Sequence, residues 1–369
     1  MKLTIERPAL VKALNTIKGA TERRNTIPIL ANVLINADDH KLKLTATDLD
    51  IEFTTEVVAE VAQSGSITVD ADRFRSIISK IAGDANLSIE ATKEHVLQIK
   101  GGRARFSLNT LPASDYPSAA TPEDIVWFDL PSSDLKKLIG RSQFAISTEE
   151  TRYYLNGIYL HVHKRGETQT LRAVATDGHR LAQVDVDRPD GAEFEGVLIP
   201  RKTCAEALKI AEIEGTVRVG VSKSRVIFQA GSSTLNSKLI DGQFPDYQRV
   251  VPLGNDVIAV AATRTLAESV DRVVTVSTEK SRASKLTFDI GSLALECVNP
   301  DTGSAREELD VDFEKKAFEI GFNSRYLGDV LGQIAGEKVE IAMADAGSPT
   351  LFRCPTDASV LYVLMPMRT

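Results

Sequence analysis

The side chains best suited to chemistry in this sequence are Asp177 with His179, and His161 with His163. A carboxylate and an imidazole two residues apart are the types used in general acid–base catalysis, and two histidines at period two share one face of a strand, as half of a zinc site would. Neither pair is completed. No third ligand follows at a recognisable spacing, and there is no Gly-x-Ser-x-Gly, phosphate loop or His-Glu-x-x-His. Cys204, Cys297 and Cys354 are odd in number and far apart, so they predict buried packing residues, with neither disulfide framework nor zinc site. A metal-dependent hydrolase is therefore the weaker class of function, and no metal or cofactor is implied.

The elements that would position such residues repeat. ITVDADRFRSIISKIAG from Ile67, VLIPRKTCAEALKIAEIEG from Val197 and FEIGFNSRYLGDVLGQIAG from Phe318 each read as a short strand, a polar or Pro step, and a helix with an apolar stripe. The stripe in the first copy is Phe74, Ile77, Ile78 and Ile81. At 369 residues, 43% hydrophobic and 26% charged, the chain is long enough for two or three ordinary cores, which fits one module used three times. Repeated modules build extended or closed surfaces, whereas most enzymes need one asymmetric pocket. No stretch approaches a membrane span, and the charges in MKLTIERPALVKAL break the apolar block of a signal peptide, so a cytoplasmic location is expected.

Between the helices the pattern alternates. LRAVATDGHRLAQVDV from Leu171 predicts a hairpin with Asp177-Gly178 as a two-residue turn, and KLKLTATDLDIEFTTEV from Lys41 carries the same Ala-Thr-Asp in the equivalent place. Each module is thus α+β with antiparallel strands. The net charge of −7 argues against nucleic acid as a total, but its distribution does not. Lys12, Lys18, Arg73, Arg75, Lys80, Lys136, Lys137, Arg141, Arg201, Lys202 and Lys209 fall on candidate helices, while Asp38, Asp39, Asp48, Asp50, Glu52, Glu56 and Glu60 fall on strands and turns. If all helices share one side, that side is a positive track for a phosphate backbone; solvated helix faces are the ordinary alternative. No zinc-finger spacing, basic region with heptads or aromatic stacking run supplies a means of reading sequence.

In GRARFSL, Arg103 and Arg105 lie on one face and Phe106 on the other, which reads as an edge strand. The strand around Arg306, Glu307, Glu308 and Leu309 has the opposite charge. Two chains pairing these edges would meet heterologously, giving a ring or a filament; protection of the edges against aggregation explains the charges equally well.

Four further segments, in order along the whole chain, carry a resemblance: TRYYLNGIYLH from Thr151, VATDGHRLA from Val174, SKLIDGQFPDYQRV from Ser237 and YVLMPMRT from Tyr362. With MKLTIERPAL and TIPILANVLI near the start, they resemble the bacterial DNA polymerase III beta subunit, the sliding clamps. The resemblance implies three clamp modules, at 1–122, 123–252 and 253–369, with antiparallel sheets outside and two helices each inside. It also implies a head-to-tail homodimer, a six-module ring around double-stranded DNA that binds without sequence specificity. Such a ring is a non-catalytic processivity factor. Its implied partners are the polymerase III alpha subunit, the clamp loader and other proteins with a clamp-binding motif. It implies DNA-facing roles for Arg24, Arg73, Lys80, Tyr153, Tyr154, Arg201 and Lys202.

A pocket for partner peptides is implied at Arg152, Leu155, Thr176, Gly178, His179, Arg180, Leu181, Pro245, Arg249, Val250, Asn323, Tyr326, Val363, Leu364, Met365, Pro366, Met367 and Arg368. Within it Leu155, Leu181, Val250 and Val363 are expected to form an apolar socket, Met365 and Met367 an adaptable surface, and Arg152 and Arg249 donors to the peptide. At the ring interface Phe106, Val274 and Val276 are the expected anchors, with Arg103, Arg105, Glu307 and Glu308 steering register. The chain departs from the family pattern in its terminal Thr369 and in the acidic Thr148-Glu149-Glu150 before Arg152. A repeat-built protein scaffold that never encircles DNA is the other reading of the modules.

Overall fold

Among the described residues a strand that runs directly into a helix recurs six times, two in each third, matching the two helices expected of each module. The computed structural model describes residues 1–21, 27–83, 86–92, 95–120, 122–213, 215–278 and 283–368. In the first third, β1 (Lys2–Glu6) and α1 (Arg7–Ile17) lead to β2 (Asn32–Asp38), β3 (Lys41–Thr47), β4 (Ile51–Val58) and β5 (Glu60–Gln63). Then β6 (Gly65–Asp70) and α2 (Ala71–Lys80) lead to β7 (Asn86–Ala91), β8 (Val96–Gly101) and β9 (Ala104–Pro112). The middle third repeats the order with β10 (Val126–Pro131), α3 (Ser132–Gly140), β11 (Gly157–Arg165), β12 (Thr168–Thr176) and β13 (Arg180–Asp187). It continues with β14 (Val197–Pro200), α4 (Arg201–Ala211), β15 (Thr216–Val221), β16 (Arg225–Ala230) and β17 (Ser233–Lys238). The last third has β18 (Val257–Ala262), α5 (Thr263–Val274), β19 (Ala283–Asp289), β20 (Ser292–Asn299) and β21 (Gly303–Asp310). It closes with β22 (Phe318–Asn323), α6 (Ser324–Leu331), β23 (Lys338–Met343), β24 (Thr350–Cys354) and β25 (Asp357–Leu364). The copies read from sequence are β6–α2, β14–α4 and β22–α6. The steps at β1–α1, β10–α3 and β18–α5 carry the same signal in TIERPALVKAL, FDLPSSDLKKL and VAATRTLAESV.

Local chemistry sets the helix starts. The Asp70 carboxylate accepts the Arg73 N–H at 2.7 Å and caps α2, Asn323 accepts the N–H groups of Arg325 and Tyr326 to cap α6, and Pro8 opens α1. Each helix buries one face: Leu10, Ala13, Leu14 and Ile17 in α1, Phe74 and Ile78 in α2, Leu266, Val270 and Val273 in α5. No helix is long and apolar enough to cross a membrane, among the described residues.

The chain divides into two compact units. The first comprises residues 1–135, 189–194 and 202–239, and holds a thirteen-stranded sheet of order β10-β15-β16-β17-β4-β3-β2-β6-β9-β8-β7-β1-β5. The second comprises residues 136–188, 195–201 and 240–369. Its two sheets have the orders β14-β11-β12-β13-β25-β24-β23-β18 and β21-β20-β19-β22. Every pairing is antiparallel, as expected for these modules.

Within each unit, one pairing joins strands from successive thirds of the sequence. In the first, β17 pairs with β4 from Ser233↔Thr55 to Ser237↔Ile51, with the Ser233 and Thr55 hydroxyls bonded at 3.0 Å. In the second, β25 pairs with β13, Leu181 opposite Val363. Both joins use the third strand after the first helix of one third and the third strand after the second helix of the next. The corresponding remaining strands are β21, whose recorded strand partner is β20, and β9. As expected, GRARFSL runs along an edge: β9 pairs with β8 along Ala104–Asn109 and with β6 at Thr110–Pro112, beyond that segment. Its N-terminal part has the open side, because β6 turns into α2 beyond Asp70.

Candidate functional site

In the second unit the β12–β13 turn, the C-terminal tail, the segment after Ile240 and the start of α6 converge on one surface. The turn falls one residue later than the Asp177-Gly178 expected. Thr176 pairs with Leu181, the Asp177 N–H donates to the Arg180 carbonyl at 3.4 Å, and side chains reinforce the turn. The Asp177 carboxylate accepts the N–H groups of His179 and Arg180 at 2.9 and 3.0 Å, and the Thr176 hydroxyl donates to the Arg180 carbonyl at 2.7 Å. Gly178 has φ +89°, and a Cβ there would stand 3.1 Å from Nη1 of Arg152, so both conformation and space favour glycine. Asp177 and His179, the acid–base pair of the sequence, thus serve as a turn cap and an exposed rim whose ring lies 6.1 Å from that of Tyr326.

Arg180 is committed to the framework. Its guanidinium, with the side chain only 10% exposed, donates to Asp177, to Asp329 and, at 2.7 Å, to the Phe144 carbonyl, and stands 4.3 Å above the Tyr326 ring. Phe144 and Asp329 were invisible to sequence reasoning, because neither lies near Arg180 in the chain.

Of the four residues expected to form the socket, three are buried together and Val250 is exposed. Leu155, Leu181 and Val363 are 5, 2 and 2% exposed and form a core cluster with Val174, Leu198, Phe244 and Tyr247. Leu364 is fully buried, and Asn323 is spent capping α6. The apolar surface left to solvent is Val250, Met365 and Met367, at 47, 37 and 40%. Met365 donates its N–H to the His179 carbonyl at 2.9 Å and Met367 to the Gly321 carbonyl at 2.7 Å, so the tail lies clipped across the turn and β22 with Pro366 between. Pro245, Arg249 and Arg368 are exposed. Arg152 pairs with Glu149 at 3.2 Å and Arg249 with Asp246 at 2.8 Å; both pairs are solvated and exchange readily for a ligand's acceptor.

Under this surface lies a polar network that involves one of the two sequence histidines. His161, Arg172 and Asp185 stand opposite one another on β11, β12 and β13. Arg172 holds Asp185 in a fork at 2.6 and 2.7 Å and donates to the Tyr247 hydroxyl at 3.2 Å. Burial, reinforced by the Arg172 charge, pushes the His161 imidazole down to about 4, so it is neutral near pH 7. No group of three or more His, Cys, Asp or Glu side chains arranged to hold a metal is present among the described residues.

The other expected positions are split between the units. Arg73, Lys80 and Lys202 are exposed in the first, and Tyr153 and Arg201 are exposed and Tyr154 half-buried in the second. Tyr153 and Tyr154 meet edge to face, 5.8 Å apart. Lys202 donates to Asp48, and Lys137 and Arg141 face Asp357, so helix cations and loop acids are less segregated than the sequence suggested. Arg103, Arg105 and Glu308 are exposed, while Phe106, Val274 and Val276 are half-buried. Glu307 is engaged by Arg272 and the Ser269 hydroxyl, which hold its carboxyl down to about 2. Arg24 and Thr369 lie outside the described residues. A cleft of about 1580 Å³ in the first unit, beside α1, mixes Arg7, Lys12 and Lys209 with Glu56 and Glu60 and assembles no reaction centre.

Repeated strand–helix modules that present rims and open strand edges define a binding protein of the clamp class. The descriptions DNA polymerase III beta subunit N-terminal, central and C-terminal domain match residues 1–120, 129–246 and 248–368. The beta sliding clamp of Caulobacter vibrioides is 47% identical over 371 residues and that of Escherichia coli K12 35% over 370, each alignment covering all of both chains. A crystal structure of the Bartonella birtlesii clamp bound to griselimycin superposes with a TM-score of 0.97 at 43% identity over all of each chain. The chain belongs to the DNA polymerase III beta subunit family, the bacterial sliding clamps. It is a non-catalytic processivity factor of DNA replication.

Proposed function

We propose that two copies of this chain join head to tail into a closed ring around duplex DNA. The modules of that ring are 1–122, 123–252 and 253–369, and it works in the cytoplasm. The observation that carries the reading is the third, unmade join. Two junctions between successive thirds pair the third strand after a first helix with the third strand after a second helix, and the strands left over are β21 and the open part of β9. Only a second copy offers β9 to β21 in the same head-to-tail sense, and doing so twice closes a ring. Arg105 on β9 and Arg103 in the turn before it face the acidic β21 with Glu307 and Glu308, and Phe106 with Val274 and Val276 supplies apolar contact. Arg24, Arg73, Lys80, Tyr153, Tyr154, Arg201 and Lys202 meet the phosphate backbone without reading bases.

The surface of Val250, Met365, Met367, Gly178, Arg152 and Arg249 takes an extended peptide with apolar anchors. The polymerase III alpha subunit, the clamp loader and other partners share it, and griselimycin competes there. The test is to load the protein onto nicked circular DNA with a clamp loader and ATP, wash in high salt, and linearise half the sample. Retention on circles with loss from linear DNA is the expected result, because phosphate contacts alone are salt-sensitive and blind to DNA ends. Equal loss from both would sink the ring in favour of a scaffold that does not encircle DNA.

A further inference from the structure

Tyr247 begins the short 3-10 turn Tyr247–Val250, whose far end carries the exposed Arg249 and Val250 and which follows the exposed Pro245. Such a segment would be expected to wander, since its own ties are a 3.4 Å N–H bond from Arg249 to Asp246 and a solvated ion pair between the same residues. Two aromatic side chains point the other way, into the protein: Phe244 is 8% and Tyr247 6% exposed. Phe244 stacks on Tyr159 at 5.1 Å, and Tyr159 stacks on His161 at 4.7 Å.

The Tyr247 hydroxyl then meets the cross-strand row of His161, Arg172 and Asp185. His161 Nδ1 lies 3.1 Å from the Val162 carbonyl, which can only accept, so Nδ1 carries the proton and Nε2 is an acceptor. Tyr247 therefore donates to His161 Nε2 at 3.0 Å while its oxygen accepts from Arg172 at 3.2 Å, and Arg172 is fixed in turn by Asp185. Donors and acceptors run in one direction from Asp185-held Arg172 to the Val162 carbonyl, with each group used. This is a specific orienting device, where a phenyl ring would have been enough to fill the space.

We propose that Tyr247, oriented by His161 and the Arg172–Asp185 pair, is the positioning residue that sets the Pro245, Arg249 and Val250 rim for partner peptides. The proposal rests on the peptide-pocket reading. It gives His161 a role in recognition with no ligand contact of its own.

The experiment measures griselimycin affinity on the full-length protein. Tyr247→Phe weakens binding by about fivefold or more, the scale of one lost hydrogen bond. His161→Gln, which keeps an acceptor for the hydroxyl, binds nearly as wild type, and His161→Leu weakens as Tyr247→Phe does. A role in positioning is separated from general loosening by a cycle with Val250→Ala: its penalty shrinks in the Tyr247→Phe background, because the rim it belongs to is already displaced. Wild-type affinity in Tyr247→Phe, or a Val250→Ala penalty of equal size in both backgrounds, overturns the inference alone. Griselimycin binding that survives removal of residues 365–369 overturns the pocket reading and the inference with it.

Discussion

The Lys202 ammonium at the start of α4 donates to Oδ2 of Asp48, while Oδ1 of the same carboxylate accepts the N–H groups of Asp50 and Ile51 at 2.9 and 2.8 Å. One acid thus closes the β3–β4 turn and masks a cation proposed to face DNA. Asp48→Asn keeps the Oδ1 acceptor and removes the charge. The expected outcome is a steeper salt dependence of binding to a linear duplex, by about 0.9 in log–log slope for each freed phosphate contact. Lys202→Ala should cancel that gain in the Asp48→Asn background and do little alone. An unchanged slope across the salt series would show that Lys202 never reaches phosphate.

At the proposed ring interface, Arg105 lies on the exposed face of β9 and Arg103 in the turn before it, both solvent-facing, whereas Glu307 on β21 is already paired with Arg272 and accepts a hydrogen bond from Ser269. Glu308 is the exposed acid. Reversing Arg103 and Arg105 to Glu should weaken association by roughly 1 to 3 kcal/mol per interface, since each reversal turns a small attraction into a repulsion. Sedimentation at dilute concentration should then report monomers, and adding Glu308→Arg should restore part of the dimer. A dimeric mass for the double reversal would remove these residues from the interface.

Why some of this was legible in the sequence and some was not follows from distance along the chain. The β6–α2 step is written locally, with Asp70 as cap and Phe74 and Ile78 as the buried stripe, and it was read correctly. The turn sits one residue beyond Asp177-Gly178 because the Asp177 carboxylate and Thr176 hydroxyl fix it with side-chain bonds that leave no periodic trace. Pairings such as His161 with Tyr247, or Arg180 with Phe144 and Tyr326, depend on which strands become neighbours, and no spacing encodes that. The edge at GRARFSL is legible in its alternation, but that β6 joins β9 from Thr110 is not, because alternation does not say where a partner starts or stops. Leu155, Leu181 and Val363 are legible as apolar residues, but apolar type does not say how deeply each is buried.

Removing residues 365–369 takes away the exposed methionines together with two backbone bonds, Met365 to His179 and Met367 to Gly321. Each is worth about 1 kcal/mol net, so the fold should lose little. Partner-peptide binding should fall below detection while topological retention on circular DNA persists. Peptide titration and the circle assay on the same preparation check this division, and loss of both together would mean that the tail supports the ring itself.

The His161 environment makes a signed prediction about pH. Its imidazole titrates at about 4 in the folded chain against an ordinary value of 6.5, because burial and the Arg172 charge oppose protonation. Between those values the unfolded chain takes up a proton that the folded chain refuses, so stability falls as pH falls from 6.5 to about 4 and levels off below. Two and a half pH units correspond to up to about 3 kcal/mol. The carboxyls held low by partners, Glu307 and Asp357 among them, act in the same direction but at lower pH, as they protonate below the ordinary carboxylate range. Denaturant midpoints at pH 7 and pH 5 therefore isolate the histidine. Wild type should lose stability across that interval and His161→Gln should lose less; equal losses would mean that His161 takes up its proton in the folded chain as readily as in the unfolded one, and that its bond to Tyr247 does not hold the neutral form.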